Sequence, residues 1–393
     1  MGKRKNPVTM ACSAGCGKPY LQYRPEHTAH YECTVNNKKR DAALRKAEQK
    51  AAAAAVEVDQ LKDESNIALK AALKATLLKL EKEKNKTAVL IEAVYETVST
   101  ELKTQSIPAV PPPVSDKRKH GEEVAVAVLA DWQLFKVTKT YNAKVCEQRI
   151  EKFSEKVIEL TRIQRADHPV RKCHIWCLGD LVEGELIFPG QAHLIEGSVY
   201  RASVVDGPRI KVNFIRRLLT EFDSVHVTVV PGNHGRAGGR QHRDYHPQTN
   251  FDRILSMVAK AHLSDEPRVT WNIADDMLEG GWYAIDDIGG YKTLLFHGDQ
   301  IIGGLTTENH LKKMILGWKS GALDGSFNDA FLGHFHVIKR FTFNSTAVRV
   351  SGSPESDNGY AIRSLGSVSR PSQHLQFVKP GFGVTAEYDI WLD

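Results

Sequence analysis

The chain has 393 residues, 41% of them hydrophobic and 25% charged, with a formal net charge of +6. That balance is the one of a soluble protein of two or three units, and no apolar run reaches the length of a bilayer span, which excludes a membrane-spanning class. Six cysteines, three of them gathered at Cys12, Cys16 and Cys33, are too few and too clustered for a disulfide scaffold; a reducing cytoplasm is the natural compartment.

Residues 1–37 form a basic arm. No apolar core follows Met1-Gly2-Lys3-Arg4-Lys5-Asn6, so no secretory leader is expected. Residues 1–50 carry 11 Lys and Arg against 4 Asp and Glu, a surplus of 7, and the rest of the chain is about neutral. Such an arm suits a polyanion such as nucleic acid, or else serves solubility alone. Cys12, Cys16 and Cys33 stand near His27 and His30 at spacings open to one structural zinc ion. His30 is taken as the fourth ligand, with His27 as the alternative. A segment this short needs such a staple to fold; the plainer alternative is a tail with incidental cysteines.

Residues 38–105 are rich in Ala, Lys, Glu and Leu and contain neither proline nor glycine. They read as one helix of roughly 100 Å, at about 1.5 Å per residue. Leu73, Leu77 and Leu80 follow a 4-3 spacing, and Ile91, Val94, Val98 and Leu102 a 3-4 spacing. These are coiled-coil seams, so a homo-oligomer built through this helix is expected, with a solvated spacer helix as the alternative. Residues 106–121, with Pro108, Pro111, Pro112 and Pro113 before Lys117-Arg118-Lys119, read as a stiff basic linker.

Residues 122–393 carry an α/β pattern. A strand over 123–130 precedes a helix over 141–166 with Val145, Ile150, Phe153, Val157 and Leu160 on one face. A strand over 173–178, mixed helix over 192–222, a strand over 225–230 and a helix near 250–262 follow. Beyond residue 267 strands dominate: 268–273, 281–287, 291–296, 328–332, 338–343, 346–351, 374–379 and 384–390. Alternation first and strands later suit two sheets packed face to face with helices outside. Cys173 and Cys177 read as packed thiols, and His174 and His226 as core or strand-face histidines.

Five of these strands end on polar residues, four of them with glycine alongside. They deliver Asp131-Trp132-Gln133, Gly179-Asp180-Leu181-Val182-Glu183, Gly232-Asn233-His234, His297-Gly298-Asp299 and Gly333-His334-Phe335-His336. Ligands collect outside the C-terminal ends of strands in open α/β sheets. Carboxylate, amide and imidazole donors in this number suit a pair of divalent cations, with one carboxylate shared between them. Any one of these motifs is by itself an ordinary strand-ending turn; the ordered set of five is far more specific. Past Asn233 the loop carries Arg236, Arg240 and Arg243, candidate phosphate clamps because guanidinium pairs with phosphate in a bidentate fork. A flexible solvated loop is the simpler alternative.

The ordered set resembles the motif series of the calcineurin-like metallophosphoesterases: D-x-H, G-D-x-x-(E), G-N-H-(D/E), H and G-H-x-H. The resemblance covers roughly residues 122–390 and is closest to the phage-encoded branch of the family. Two positions depart from it: Gln133 stands for the first histidine, and Gly235 for the acid after Asn-His. The resemblance implies a four-layer α/β/β/α sandwich. It implies that Asp180 bridges two ions, that Asp131, Gln133 and His336 complete the first, and that Asn233, His297 and His334 complete the second. Manganese is the expected metal, with iron, zinc, magnesium or nickel as alternatives. The implied reaction is phosphodiester hydrolysis by a metal-bridging hydroxide, with His234 stabilising charge or protonating the leaving oxygen. Asp299 is expected to hold the ring of a ligand histidine. An amide oxygen is a weaker, harder ligand than imidazole, so this chain should differ from the family at the first ion. With the basic arm, the expected substrate is nucleic acid, in the manner of the family's double-strand-break repair exonucleases. A phosphatase or a small-molecule or cyclic-nucleotide phosphodiesterase is one alternative, and a catalytically weakened nucleic-acid-binding scaffold another. A phage-encoded enzyme of this kind would act in the host cytoplasm.

Overall fold

The computed structural model describes residues 8–11, 19–22, 108–188, 190–237, 249–274, 281–301, 308–357 and 369–393. The chain divides into two compact units, Met1–Thr87 and Ala88–Asp393. In the first, β1 (Val8–Ala11) and β2 (Pro19–Gln22) pair antiparallel, Val8 opposite Gln22 and Ala11 opposite Pro19. The expected zinc ligands Cys12, Cys16, His27, His30 and Cys33 lie outside the described residues, as does the expected helix of 38–105.

The second unit runs β3 (Glu123–Leu129), α1 (Ala143–Gln164), β4 (Val170–Cys177), α2 (Gly207–Leu218), β5 (Ser224–Val229), α3 (Phe251–His262), β6 (Val269–Ile273), β7 (Tyr283–Ile288), β8 (Tyr291–Phe296), α4 (Glu308–Gly317), β9 (Asp329–Leu332), β10 (Lys339–Phe343), β11 (Thr346–Val350), β12 (Ser372–Lys379) and β13 (Gly383–Trp391). One sheet of six strands has the order β13-β12-β3-β4-β5-β6, and the second, of five, has the order β10-β11-β9-β8-β7. β3 to β6 are mutually parallel, while β12 and β13 join the free side of β3 antiparallel.

The pleat explains how each sheet is covered on both faces. Successive side chains of β3 alternate: Ala125, Ala127 and Leu129 enter a core shared with α1, α2 and α3, and Val124, Val126 and Val128 enter the layer between the sheets. In the second sheet, Leu295 and Phe331 face that layer, whereas Leu294, Phe296, Ala330 and Leu332 pack with Leu311 and Ile315 of α4. The layers are therefore helix, sheet, sheet, helix. α1 is held by its spacing of Cys146, Ile150, Phe153 and Val157 on the buried face and by Asn142, whose Oδ1 accepts from Val145 N at 2.9 Å.

Cys173 and Cys177 are buried free thiols, and burial pushes Cys173 up to about 12. His174 and His226 turn into the inter-sheet layer, where His174 Nδ1 is 2.6 Å from Asp286 Oδ2 on β7 and Trp176 Nε1 donates to the same oxygen at 2.7 Å. The Pro-rich stretch, read as a linker, is docked on this unit. Val110 is buried in the helix-side core, and Arg268 and Arg171 donate to the carbonyls of Val110 and Asp116, each at 2.8 Å. Prolines offer no N–H, so arginines reaching for carbonyls are the natural means of fastening such a segment. Among the described residues no helix is long and apolar enough to cross a membrane.

Candidate metal centre

All five strand-end motifs arrive at one place. Asp131 and Gln133 follow β3, Asp180 follows β4, Asn233 and His234 follow β5, His297 follows β8, and His334 and His336 follow β9. Asp131, Gln133, Asp180, His334 and His336 all take positive φ, between 48° and 71°. Each such residue costs about 1–3 kcal/mol, and clusters of them persist where surrounding structure forces side chains toward a common point. Gly179, at φ 84°, and Gly232 let the β4 and β5 loops touch: a Cβ on Gly232 would collide with Asp180 Oδ1. A side chain at Gly232 would push Asp180 out of place, and one at Gly179 would drive into the backbone of Pro231 and Gly232.

The donors form a continuous cluster. Asp180 Oδ2 lies 3.0 Å from His297 Nε2 and accepts from Gln133 Nε2 at 3.3 Å. His297 Nε2 is 3.1 Å from Asn233 Oδ1 and 3.2 Å from His334 Nδ1. His336 Nε2 is 3.4 Å from Asp131 Oδ1, and the His334 backbone N–H donates to both Asp131 oxygens. Donor atoms of Asp180, His297 and His334 lie within 4.8 Å of one another. Asp131, Gln133 and His297 are fully buried, and Asp180 nearly so.

A layer of residues that sequence alone leaves without roles holds these donors. The buried carboxylate of Asp252, in the first turn of α3, accepts from the backbone N–H groups of Asp180 (2.9 Å), Leu181 (2.9 Å), Val182 (3.2 Å) and Gly232 (2.8 Å). It fastens the β4 loop to the β5 loop. It also accounts for Gly235: a Cβ there would stand 2.5 Å from Asn250 Oδ1 and 2.9 Å from Asp252 Oδ2, so the α3 N-terminus fills the space a side chain would need. Glu355 Oε2 lies 3.0 Å from His336 Nδ1, while its Oε1 pairs with Lys136 at 2.8 Å. Glu183, fully buried, stands 3.1 Å from His234 Nδ1. The sequence carried Glu183 as a motif letter only; Asp252, Glu355 and Lys136 had no local signal beyond a helix-start acid, a turn acid and a strand-end lysine.

One expectation is corrected. Asp299 does not hold a ligand histidine; its carboxylate pairs with Arg236, and the His297 ring is set instead by Nδ1, 2.7 Å from Leu178 O. A carbonyl on the adjoining strand end reaches the ring first, which leaves Asp299 for the nearest guanidinium. Of the three loop arginines only Arg236 is among the described residues; Arg240 and Arg243 lie outside them.

Electrostatically the cluster concentrates acids that need cations. Burial alone would raise the Asp180 carboxyl, but His297 and His234 outweigh it and hold the group far below the ordinary carboxylate range. Burial opposes charge on His297 and His336 too, yet Asp180 carries the first, and Asp131 with Glu355 the second, up to about 10. Burial and its neighbour His297 push His334 down. Glu355 is held at about 2 against burial, chiefly by His336 and Lys136. Protonated imidazoles thus balance the buried carboxylates, and a divalent cation would take over that task and release their protons.

The donor set fits such cations. Gln133 Oε1 is buried and has no hydrogen-bond partner, an orphan acceptor that a cation would satisfy. Asp131, Gln133, His336 and Asp180 would hold one ion, and Asp180, Asn233, His297 and His334 the other. Gln133→His is expected to tighten the first ion and shift preference toward softer metals, and Gln133→Ala to weaken it by at least about tenfold. Metal content after dialysis and the midpoint of metal activation check this. Unchanged values in both variants would show that Gln133 does not touch the ion.

No protein-family model matches the chain, and no curated protein matches it. Solved structures do. Vps29 from Entamoeba histolytica complexed with Zn2+ is 13% identical, with a TM-score of 0.32, covering 68% of this chain and 99% of that one. An uncharacterized protein from Streptococcus pneumoniae, described as a predicted phosphoesterase, is 10% identical, with a TM-score of 0.29, covering 68% of this chain and 98% of that one. An archaeal phosphodiesterase is 9% identical, also at 0.29, covering 68% of this chain and 99% of that one. Likenesses this distant carry no argument about activity.

Proposed function

We propose that this chain is a metal-dependent phosphoesterase that hydrolyses phosphodiester bonds in nucleic acid. One observation carries the reading: donors from five strand ends converge in one buried cluster in which Asp180 touches both halves, through Gln133 and through His297. Two divalent cations, when bound, supply charge stabilisation at phosphorus and a nucleophile at neutral pH. The residues of the chain do the rest. His234 Nε2 stands 3.9 Å from Asp180 Oδ2. Burial disfavours its charge, but Glu183 and Asp180 raise it above the ordinary histidine range. It therefore keeps a proton beside the reacting centre, ready for the departing ester oxygen or for charge on the phosphoryl group. Arg236, one-third exposed and paired with Asp299, is within the same loop and suits a phosphate oxygen. The preference for nucleic acid is supported by the surplus of 7 positive charges in residues 1–50 and by Arg236, Arg240 and Arg243.

The test is a manganese-titrated assay on bis(4-nitrophenyl) phosphate, 4-nitrophenyl phosphate, and single- and double-stranded DNA. The diester and DNA should be cleaved in preference to the monoester, with activity lost on chelation and restored by manganese. Turnover confined to the monoester would make the chain a phosphatase, and none with any metal would leave a binding protein. Deleting residues 1–105 should preserve turnover of the small diester while giving a monomer with weaker, less salt-sensitive DNA binding, because fewer phosphate counterions are released. Replacing Cys12, Cys16 and Cys33 with Ser should reproduce the affinity loss without changing the oligomer. DNA binding undiminished by the deletion would reassign nucleic-acid capture to the loop that begins at Arg236.

A further inference from the structure

We infer that the pair of Arg236 and Asp299 is a charge filter, and that Asp299 is the residue by which this centre takes a singly charged phosphodiester in preference to a doubly charged phosphomonoester. The inference rests on the phosphoester reading above and adds a specificity residue to it. The pair stands at the half of the centre expected to hold the second ion. Asp299 follows His297 by two residues, and Arg236 follows Asn233 by three. The turn that carries Asp299 is closed by Ile301 N, which donates to Gly298 O at 3.0 Å, and by Gly298 N, which donates to Gln300 Oε1 at 3.2 Å. Ile301 anchors that turn in the core under α4. Gly298 packs against His334: a Cβ on it would stand 3.0 Å from His334 Cβ. On the other loop Arg236 N donates to Asn233 O at 3.4 Å. Asn233, His297 and His334 therefore bracket the pair.

The Asp299 side chain is 14% exposed and that of Arg236 33%. Arg236 Nη2 donates to Asp299 Oδ2. A guanidinium has five N–H donors, so one carboxylate does not exhaust it, and a phosphate oxygen can share it. The charges of the pair cancel. An arginine alone would favour a dianion over a monoanion. With Asp299 beside it, the second negative charge of a monoester meets a carboxylate and gains little from the guanidinium. Water screens such a contact less at this depth than at an open surface. A phosphate within a nucleic-acid backbone carries one charge, whereas a phosphomonoester carries nearly two at neutral pH. The pair thus sorts phosphate groups by charge, so that internal linkages are accepted and terminal phosphates disfavoured.

The test uses the full chain with saturating manganese at about pH 8 and reads affinity by calorimetry for two probes, phenylphosphonate and its monomethyl ester. That pH lies above the second ionisation of such groups (about 6 for a phosphate), so the first probe carries roughly two charges and the second one. Asp299→Asn keeps the shape and an oxygen for Arg236 while removing the charge. It should tighten phenylphosphonate by roughly tenfold or more relative to the ester, the scale of one like-charge interaction over several ångström at an effective dielectric of about 20. Asp299→Glu retains the charge and should leave the ratio of the two affinities within about threefold. Equal tightening of both probes by Asp299→Asn would mean that the carboxylate only masks Arg236, and would overturn the inference. Equal weakening, or no change, would overturn it as well. A ratio moved as far by Asp299→Glu as by Asp299→Asn would make shape, not charge, the cause and overturn it too. Manganese bound per chain is counted for each variant, and a loss in Asp299→Asn would make Asp299 a support for the loop and overturn the filter. Because binding is read apart from turnover, a chain whose ratio responds to Asp299 yet cleaves no diester keeps this inference and removes the hydrolytic reading; an active diesterase with a ratio indifferent to Asp299 does the reverse.

Discussion

Asp180→Asn is expected to abolish turnover of the diester while the domain stays folded. Asparagine tolerates the left-handed backbone better than most residues, so φ of 52° at this position does not oppose the substitution. Its amide oxygen can still accept from the His234 N–H, which Asp180 Oδ1 does at 2.7 Å. What disappears is the charge that both halves of the centre share. Loss of even about 4 kcal/mol of charge stabilisation corresponds to roughly a thousandfold in rate. The assay must be run at saturating manganese, because at low metal weakened affinity and lost chemistry look alike. A second readout needs no metal. His297, which Asp180 carries up to about 10 against the pull of burial, should titrate much lower in the variant, as followed by the imidazole resonances. Near-normal turnover at saturating manganese would remove the dinuclear reading, and an unmoved His297 would remove the electrostatic account of the cluster.

Asp252→Ala is expected to be the most damaging single change outside the ligands themselves. It strands four buried backbone N–H groups, those of Asp180, Leu181, Val182 and Gly232. Each orphaned donor costs about 1–3 kcal/mol. Even at the lower end the sum is about 4 kcal/mol, and Tm should fall by roughly 10 °C at about 2–4 °C per kcal/mol for a domain of this size. Asp252→Asn should be nearly as harmful, since its single oxygen cannot serve four donors and its NH2 group adds a donor among them. Manganese affinity should fall with stability, because the β4 and β5 loops lose their common fastening. Calorimetric melting with and without manganese checks both. A Tm within about 2 °C of the parent, with manganese binding intact, would mean that the loops hold each other without this carboxylate.

Local features of this protein were readable from the chain alone. An apolar run followed by Asp, Asn, Gln or His with an adjoining glycine is legible because strand periodicity and turn chemistry both reside in neighbouring residues. That is why Asp131, Gln133, Asp180, Asn233, His297, His334 and His336 could be named as candidates, and why the strands and helices α1 and α3 lie within a few residues of where the structure has them; α4 (Glu308–Gly317), which covers the second sheet, was not read from the sequence. The positions of Gly179 and Gly232 were legible for the same reason. Partners distant in the chain were not. Asp252 meets Asp180 across 72 residues, and Glu355 meets His336 from the far side of β11; neither pairing leaves a periodic trace. Asn250 caps α3, so an acid two residues later shows no local sign beyond that of an ordinary first-turn charge. Its role arises only because packing of α3 against the first sheet drives that turn between two loops. The same holds for Asp299, which turned to Arg236. It holds again for β12, which pairs with β3, His374 opposite Val128, although nearly the whole domain lies between them in sequence. Long-range contacts of this kind follow from how whole layers pack. A strand or loop segment carries the energetics of its own turn, but not the identity of the surface that will be pressed against it.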